Sequence, residues 1–353
     1  MRTHKIAALP GDGIGPEVLE AGLAVLEAVQ TSEGFKLDAT HIPWGSKFYL
    51  EHGRMVEEGG IESLRAYEAI YFGAVGSPDV PDPVTVWQLI LPIRQEFDQY
   101  VNLRPMRLLP GLTSPLAGRG PKDIDMVCVR ENTEGEYAGV GGFVHRGRKT
   151  ELANEVATFT RAGIERLVRF GFELARTRPK KLLSSATKSN ALRHSMVLWD
   201  EVVEEVAGEF SDVTLRKYHV DALAARMVTQ PDSVDVIVAS NLFGDILTDL
   251  GAAISGSLGV APSGNIDPTR KNPSMFEPIH GSAPDIAGRG VANPIGAVWA
   301  GAMMLEHLGE PEMAQTIEDA MEVVLQDTGA RTRDLGGKAS TADCVKALLE
   351  AIG

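Results

Sequence analysis

A short apolar segment followed at once by a helical pattern, between residues 234 and 258, restricts the fold more than any other part of the sequence. Residues 234–239 read VDVIVA, and a short β-branched run of this kind predicts a strand buried on both faces of a parallel sheet. The predicted apolar face of the helix that follows contains Ile246, Leu247, Leu250 and Ile254. A strand–helix unit of this type is typical of layered α/β proteins.

Two carboxylates lie in the same helical segment. Asp245 and Asp249 are four residues apart, so both leave the helix on one face. They follow the carboxyl end of the predicted strand, which is where open α/β sheets bind ligands. The pair indicates a site for Mg²⁺ or Mn²⁺, since both ions accept oxygen ligands. Two solvated surface aspartates are the alternative, because exposed acidic residues are common.

The rest of the chain repeats the alternation of strands and helices. Further strands are predicted at residues 5–9, 35–39, 69–75, 125–129, 181–186 and 213–220. Helices are predicted at 197–206, 295–308, about 312–325 and 342–352. One long helix has a predicted apolar side formed by Val156, Phe159, Gly163, Leu167, Phe170 and Leu174. Residues 140–149 are predicted to form a hairpin or arm, and residues 276–285 a turn-rich loop. The alternation predicts an α/β fold.

The glycine-rich segment GDGIG at residues 11–15 follows the first predicted strand. Its spacing lacks the third glycine of G-x-G-x-x-G, so it does not match the dinucleotide-binding fingerprint. Pro16 is suited to a first helical turn. We interpret the segment as a tight strand-to-helix loop near a ligand.

Three arginines lie close together in an otherwise acidic chain, whose net charge is −14. Arg94, Arg104 and Arg130 lie at the edges of predicted elements, and converging guanidinium groups would suit a di- or tricarboxylate substrate. Three separate surface ion pairs are the alternative. Lys188 also follows a strand, and a buried lysine can act as a base. The negative charge argues against a nucleic acid partner.

Size and composition indicate an ordinary globular protein. The chain has 353 residues, 44% of them hydrophobic, and no apolar run approaches the ~18 residues of a membrane span. The N-terminal segment leads directly into a predicted strand and shows no hydrophobic signal-peptide region. Cys128 and Cys344 do not form a disulfide framework. We therefore expect a cytoplasmic protein without a membrane partner.

Five stretches then point to a family: GDGIGPE (11–17), NLRP (102–105), RENTEGEY (130–137), SNLFGDILTDL (240–250) and EPIHGSAPDIAG (277–288). In this order they resemble the β-decarboxylating dehydrogenases, which include isocitrate and 3-isopropylmalate dehydrogenases. The resemblance implies a two-domain isopropylmalate dehydrogenase-like α/β fold, with a large central sheet flanked by helices, and a homodimer. The implied domains are residues 1–103 plus 256–353, which bind the cofactor, and an inserted domain at 104–255. The inserted domain would carry the dimer interface, the arm and the metal site.

The resemblance also implies roles for individual residues. Arg94, Arg104 and Arg130 would hold the substrate carboxylates, and Tyr137 and Lys188 would act as acid and base. Asp245 and Asp249 would bind Mn²⁺ or Mg²⁺ together with Asp221 of the other subunit, from which Lys188 would also come. The implied cofactor residues are Ile14, Gly73, Ser77, His280, Gly281, Ser282, Ala283, Asp285 and Asn293. Asp285 would accept a hydrogen bond from a ribose 2′-hydroxyl and repel a 2′-phosphate, which favours NAD over NADP.

Substrate choice depends on the segment before Arg94. Isopropylmalate enzymes of the family typically have an acidic residue and a leucine where this chain has Trp87 and Ile90. A tryptophan would fill the isopropyl pocket, so the chain resembles the branch that acts on tartrate and D-malate. 3-Isopropylmalate dehydrogenase is the alternative activity, and a catalytically silent regulatory subunit is the non-enzymatic one. The choice among D-malate, L-tartrate and meso-tartrate, and a need for a monovalent cation, stay open.

Overall fold

A computed structural model describes residues 2–30 and 34–353 of the chain. Twelve strands are present in this part, and ten of them form one sheet in the order β2-β1-β3-β12-β11-β4-β5-β10-β8-β9. The strands are Arg2–Gly11 (β1), Phe35–His41 (β2), Ala69–Ala74 (β3), Val101–Arg107 (β4), Asp125–Glu131 (β5), Gly135–Val144 (β6), Leu152–Thr158 (β7), Leu182–Thr187 (β8), Thr214–His219 (β9), Val236–Ala239 (β10), Pro262–Ile266 (β11) and Ser274–Pro278 (β12).

Helices cover both faces of this sheet. They are Gly15–Ala28 (α1), Ser46–His52 (α2), Gly60–Ser63 (α3), Asp82–Thr85 (α4), Leu91–Glu96 (α5), Arg161–Thr177 (α6), Ser195–Ala207 (α7), Val220–Thr229 (α8), Asn241–Ile254 (α9), Ile295–Leu308 (α10), Pro311–Gln326 (α11) and Thr341–Ile352 (α12). A π-helical turn at Val86–Ile90 joins α4 to α5. In β3, Tyr71 packs into the main core while Phe72 packs into a second core on the opposite face. Burial on both faces explains the continuous apolar runs of these strands.

The sheet is mixed, with two parallel outer parts that run in opposite directions. β2, β1, β3 and β12 are parallel neighbours, as are β5, β10, β8 and β9. Between them, β11 and β4 pair antiparallel with their neighbours and with each other. The sequence patterns did not predict these two central strands. Proline, glycine and asparagine occur within them, and Asn102 of β4 donates a hydrogen bond to Asn265 of β11 inside the protein.

The strand–helix unit on which the sequence interpretation rests is present. β10 lies between β5 and β8 and is parallel to both, and its four residues are buried. The predicted apolar face of α9 was wrong in one residue, because Ile246 is 57% exposed. α9 instead approaches the sheet through Gly244 and Gly251. A Cβ at Gly251 would overlap the side chain of Met106 in β4.

The predicted arm is an antiparallel hairpin of β6 and β7, and both strands are mostly exposed. The long helix that follows is shorter than predicted. α6 begins at Arg161, so Val156 lies in β7 and Phe159 precedes the helix. Thr160 caps α6 by accepting a hydrogen bond from the backbone N–H of Gly163. The predicted loop at 276–285 was also wrong at its start, since Phe276–Pro278 belong to β12.

The GDGIG segment forms a tight loop that contacts a second loop. Gly11 and Gly13 have φ angles of 68° and 59°, which glycine adopts at little cost. The backbone N–H of Ile14 donates to the carbonyl oxygen of Ser282 at 2.8 Å. No helix in the described part of the chain is long and apolar enough to cross a membrane. The proposed domain division stays a prediction, and its boundary after residue 103 falls inside β4.

The close packing of α9 leads to a stability prediction. Gly251→Ala should lower the free energy of unfolding by about 1–3 kcal/mol, because the new methyl group overlaps Met106. Gly171→Ala in α6 is the matched control, since its Cβ would lie 3.4 Å from the nearest atom, an ordinary contact. That control should be neutral or more stable by about 0.5–1 kcal/mol. Urea denaturation measures both, and equal transitions would contradict the packing of α9.

Candidate active site

Three buried arginines come together from three elements. Arg104 lies in β4, Arg130 in β5 and Arg94 in α5, and they are 6%, 2% and 8% exposed. In the antiparallel β4–β5 pair, Arg104 is opposite Cys128 and Asn102 is opposite Arg130. The two arginines are therefore diagonal neighbours on one face of the sheet. The alternative of three separate surface ion pairs is therefore wrong.

Asp245 joins the arginines to the catalytic tyrosine predicted from the sequence. Its Oδ1 accepts from Arg130 and, at 3.3 Å, from Arg104. Its Oδ2 accepts from the hydroxyl of Tyr137 at 3.4 Å. One turn earlier, Asn241 Oδ1 accepts from Arg130 Nη2 at 2.7 Å. Gly244 makes this approach possible, because a Cβ there would lie 2.5 Å from Arg130 Cγ.

Burial and charge act in opposite directions on the acidic residues of α9. Burial alone would raise the pKa of Asp245, but Arg130, Arg104 and Arg94 outweigh it and hold this pKa below its ordinary value. The pKa of Asp249 is raised, first by burial and then by the negative charge of Asp245. Burial, followed by the charge of Asp245, also raises the pKa of Tyr137. At neutral pH the tyrosine is therefore a proton donor rather than a phenolate.

Arg94 is held by a buried polar network that spans the antiparallel centre of the sheet. Its Nη2 donates to Glu277 Oε1 at 2.9 Å, and Asn265 Nδ2 donates to the same oxygen at 2.8 Å. Asn265 Oδ1 accepts from Asn102 at 2.9 Å and from Asn132 at 3.0 Å. The Nε atoms of Arg94 and Arg104 are buried without a hydrogen-bond partner in the described residues. The cluster thus keeps donors for an anionic ligand.

Trp87 lies about two turns before Arg94, and its side chain packs against β6 near the start of the arm. A Cβ at Gly139 of β6 would lie 2.9 Å from Trp87 Cζ3, so the indole rests directly on this glycine. The tryptophan is 42% exposed. Ile90 is partly buried and packs against the second core. Of these two predicted substrate residues, Trp87 is the one that contacts the strand of Tyr137.

Lys188 and Asp221 lie apart from this cluster and bind each other. Lys188 follows β8, and Asp221 lies in the first turn of α8 after the neighbouring strand β9. Lys188 Nζ donates to Asp221 Oδ1 at 2.7 Å, and this bond is the main cause of the lowered pKa of Asp221. In residues 2–30 and 34–353, no hydrogen bond or ion pair links either residue to the arginines or to Asp245.

The carboxylates of one chain do not make a complete metal site. Within the described residues, no group of three or more His, Cys, Asp or Glu side chains could hold a metal ion. Asp245 and Asp249 offer carboxylate oxygens one helical turn apart, which suits a hard divalent cation.

A mainly apolar cavity of about 560 Å³ lies beside the GDGIG loop. Four of the predicted cofactor residues line it, namely Ile14, His280, Ala283 and Asn293. His280 Nε2 is buried there without a partner in the described residues, so it can bond to a ligand. The sequence did not point to Leu258, Ile286, Arg333 or Asp334, which also line the cavity. Volume and lining fit part of a dinucleotide.

The other predicted cofactor residues lie outside the lining of this cavity. Ser77 lines a smaller pocket nearby, and Ser282 bonds the GDGIG loop. Gly73 in β3 lets this strand approach the backbone of Pro10 and Gly15. Gly281 and Asp285 are exposed. Their roles as cofactor ligands stay predictions.

A family model described as isocitrate/isopropylmalate dehydrogenase matches residues 5–348. The chain belongs to this family. A probable tartrate dehydrogenase/decarboxylase from Agrobacterium vitis is 55% identical over 353 residues, which are 100% of this chain and 98% of the relative. The decarboxylating D-malate dehydrogenase of Escherichia coli strain K12 is 50% identical, with coverage of 100% and 99%. The isocitrate dehydrogenase structure from Methylococcus capsulatus has a TM-score of 0.89 at 36% identity and covers 99% of both chains.

These matches confirm the family and the fold class that the sequence motifs predicted. Two residues that support the site were missed in the sequence analysis, although both lie inside the quoted family motifs. Asp12 of GDGIG accepts from Ser46 N and Gly76 N at 2.7 and 2.9 Å, and so ties three loops together. Glu277 opens the last motif and pairs with Arg94. The signal in the sequence that could have identified them was an acidic residue within a glycine-rich or turn-rich motif.

Proposed function

We propose that the protein oxidises D-malate or tartrate at C2 with NAD, in the presence of Mn²⁺ or Mg²⁺, and catalyses β-decarboxylation, yielding pyruvate and CO₂ from D-malate. The observation that carries this proposal is the group of three buried arginines beside Tyr137. Arg104 and Arg130 bind Asp245, and Arg94 pairs with Glu277. Two relatives that match this chain over its full length are described as acting on tartrate and D-malate. A small dicarboxylate with a 2-hydroxyl group carries the negative charges that would neutralise the arginines of this site.

The arginines bind and orient the substrate in this proposal. The unpaired Nε donors of Arg94 and Arg104 provide hydrogen bonds for carboxylate oxygens. Trp87, resting on Gly139, limits the volume near C3 and admits hydrogen or hydroxyl there. This limit argues against 3-isopropylmalate, whose C3 carries a branched apolar group.

Proton transfers are assigned to two side chains. Lys188 would accept the proton of the C2 hydroxyl, and NAD, when bound, would supply the hydride acceptor for the hydrogen on C2. Carbon dioxide then leaves from the carboxylate at C3, and Tyr137 donates a proton to C3. The raised pKa of Tyr137 keeps its hydroxyl protonated for this step. With all these groups present, a silent regulatory subunit is the weaker alternative.

The metal would be held by Asp245 and Asp249, together with Asp221 of the partner subunit. A bound divalent cation supplies positive charge where negative charge develops on the substrate oxygen. NAD would lie in the cavity lined by Ile14, His280 and Asn293. The choice of NAD over NADP rests on the position of Asp285 in its motif.

A homodimer would complete the site. The hairpin of β6 and β7 exposes large apolar side chains, including Phe143 at 56% and Leu152 at 54%. Ile246 in α9 is 57% exposed, next in sequence to Asp245. A two-stranded hairpin is marginally stable alone in water, so a second copy that covers it would stabilise the arm.

The first prediction concerns substrate choice. Initial rates with NAD and Mn²⁺ should give a higher kcat/KM for D-malate or a tartrate than for 3-isopropylmalate or isocitrate. Trp87→Ala should shift relative kcat/KM toward 3-isopropylmalate by about 1–3 kcal/mol of discrimination. Gln88→Ala, at the exposed neighbouring position, is the control and should leave the order unchanged. A wild-type preference for 3-isopropylmalate would contradict the proposed substrate.

The second prediction concerns the metal. Calorimetry should show Mn²⁺ binding to wild type that Asp245→Asn loses, whereas Asp38→Asn at an exposed strand position keeps it. Mn²⁺ affinity should also fall as the pH falls, because protonated Asp249 cannot ligate. Since the pKa of Asp249 is raised, this loss should begin above the ordinary range of aspartate. Equal Mn²⁺ affinity in both variants would show that Asp245 does not bind the metal.

The third prediction concerns the shared site. Lys188→Ala and Arg94→Ala should each be nearly inactive alone. After subunit exchange at equal amounts, about half of the dimers are mixed and each contains one intact site, so about a quarter of wild-type activity should return. Native mass spectrometry verifies the exchange. If exchanged samples stay inactive, Lys188 acts within its own chain and the shared-site model fails.

A further inference from the structure

A second concave site, which we name the Arg270 pocket, lies away from the arginine cluster and the cofactor cavity. It has a volume of about 250 Å³, and its lining includes Arg65, Glu68, Arg270, Lys271, Asn272 and His307. Four of these six residues are basic types, in a chain whose net charge is −14. None of them has a role in the proposed reaction.

The charges in this pocket are unequally compensated. Arg65 donates to Glu62 at 2.8 Å and to Glu96 at 3.0 Å. The carboxylate of Glu68 accepts from His4 Nδ1 at 2.9 Å and from the backbone N–H of Lys5 at 3.1 Å. Arg270 and Lys271, in contrast, form no ion pair with a carboxylate in residues 2–30 and 34–353. The pocket therefore presents two positive charges that no carboxylate bonds directly, beside the carboxylates of Glu68 and Asp267.

The loop that carries these two cations is fixed in place. Asp267 is 1% exposed, and its carboxylate accepts from Thr269 N at 2.9 Å and from Asn272 N at 3.1 Å. Arg270, between them, has a φ angle of 57°, which is unusual for a residue with a side chain. A fixed loop presents its charges without the entropy cost of ordering them on binding.

His307, in the last turn of α10, also lines the pocket. Burial, and then the positive charge of Arg270, lower its pKa to about 4 against the opposing effect of the Asp267 carboxylate, so the imidazole is neutral at pH 7. Its ring makes no hydrogen bond in the part of the chain that the structure describes. A neutral imidazole can donate one hydrogen bond to an oxygen atom.

We propose that the Arg270 pocket binds a small oxyanion with at least two negative charges, carried by phosphate or carboxylate groups. Arg270 and Lys271 would supply the charge, and His307 would supply a neutral donor. The volume admits a molecule of a few carbon atoms rather than a nucleotide. The pocket also adjoins the supports of the proposed active site. Arg65 bonds to Glu96, two residues after Arg94, and Asn272 precedes the strand of Glu277.

Calorimetry with inorganic phosphate and with succinate tests the proposal on the full-length enzyme. The variant Arg270→Gly/Lys271→Ala removes both charges, and glycine suits the φ angle at position 270. Lys122→Ala/Lys338→Ala removes two exposed lysines elsewhere and is the matched control. The pocket variant should bind the anion at least about tenfold more weakly than the control, since two close charges are lost.

The two anions distinguish the source of the charge. A selective loss of phosphate binding indicates a phosphate ligand, and a selective loss of succinate binding indicates a dicarboxylate. Either result supports the pocket, because the substrate arginines are unchanged in both variants. Equal affinities in the pocket variant and the control, for both anions, would overturn the proposal and mean an adventitious ion only.

NMR of the histidine rings gives a second measurement that does not depend on the folding of a charge variant. His307→Gln assigns the His307 signal in the wild-type spectrum. A bound oxyanion compensates Arg270, so saturating phosphate or succinate should raise the pKa of His307. An unchanged His307 titration with both anions would also overturn the proposal.

Discussion

The carboxylate of Asp245 among buried guanidinium groups is the interaction on which the rest of the site depends. Arg104 and Arg130 share this one carboxylate, while Arg94 pairs with Glu277. A buried positive charge without full compensation is costly, so folding leaves an excess that an anionic ligand can neutralise. The same arginines lower the pKa of Asp245 against the effect of its burial. In the proposed reaction, binding of substrate and binding of metal would both depend on this charge balance.

The antiparallel centre of the sheet explains how this arrangement is held. β4 and β11 carry Asn102 and Asn265 at directly opposite positions, and the two amides bond to each other. Asn265 also donates to Glu277, which in turn holds Arg94. In a buried network each polar group restricts its neighbours, because an unpaired member would be expensive. The two parallel parts of the sheet are thus joined by a network of buried polar side chains that also holds Arg94.

Prediction from the sequence succeeded where burial alone determines the pattern. β10 is apolar throughout because both faces are covered, and α9 begins after it with Ser240 as its cap. It failed where tertiary contacts override the pattern. The sequence patterns missed β4 and β11 because asparagine and proline have low strand propensity, whereas the hydrogen bond between Asn102 and Asn265 accommodates these amides inside the protein. Ile246 has the right spacing for the core but faces outward, since Gly244 and Gly251 occupy the contact with the sheet.

The pairing of Lys188 with Asp221 links the proposed assembly to the proposed chemistry. In one chain the two charges satisfy each other at 2.7 Å, and Asp221 is largely exposed. In the proposed dimer the carboxylate of Asp221 would ligate a metal ion, and its ion pair with Lys188 would weaken. In the proposed reaction Lys188 would then lie beside the C2 hydroxyl without its carboxylate partner. In the proposed dimer, the surface of a second copy would both cover the exposed arm and supply the further ligand that the metal site needs.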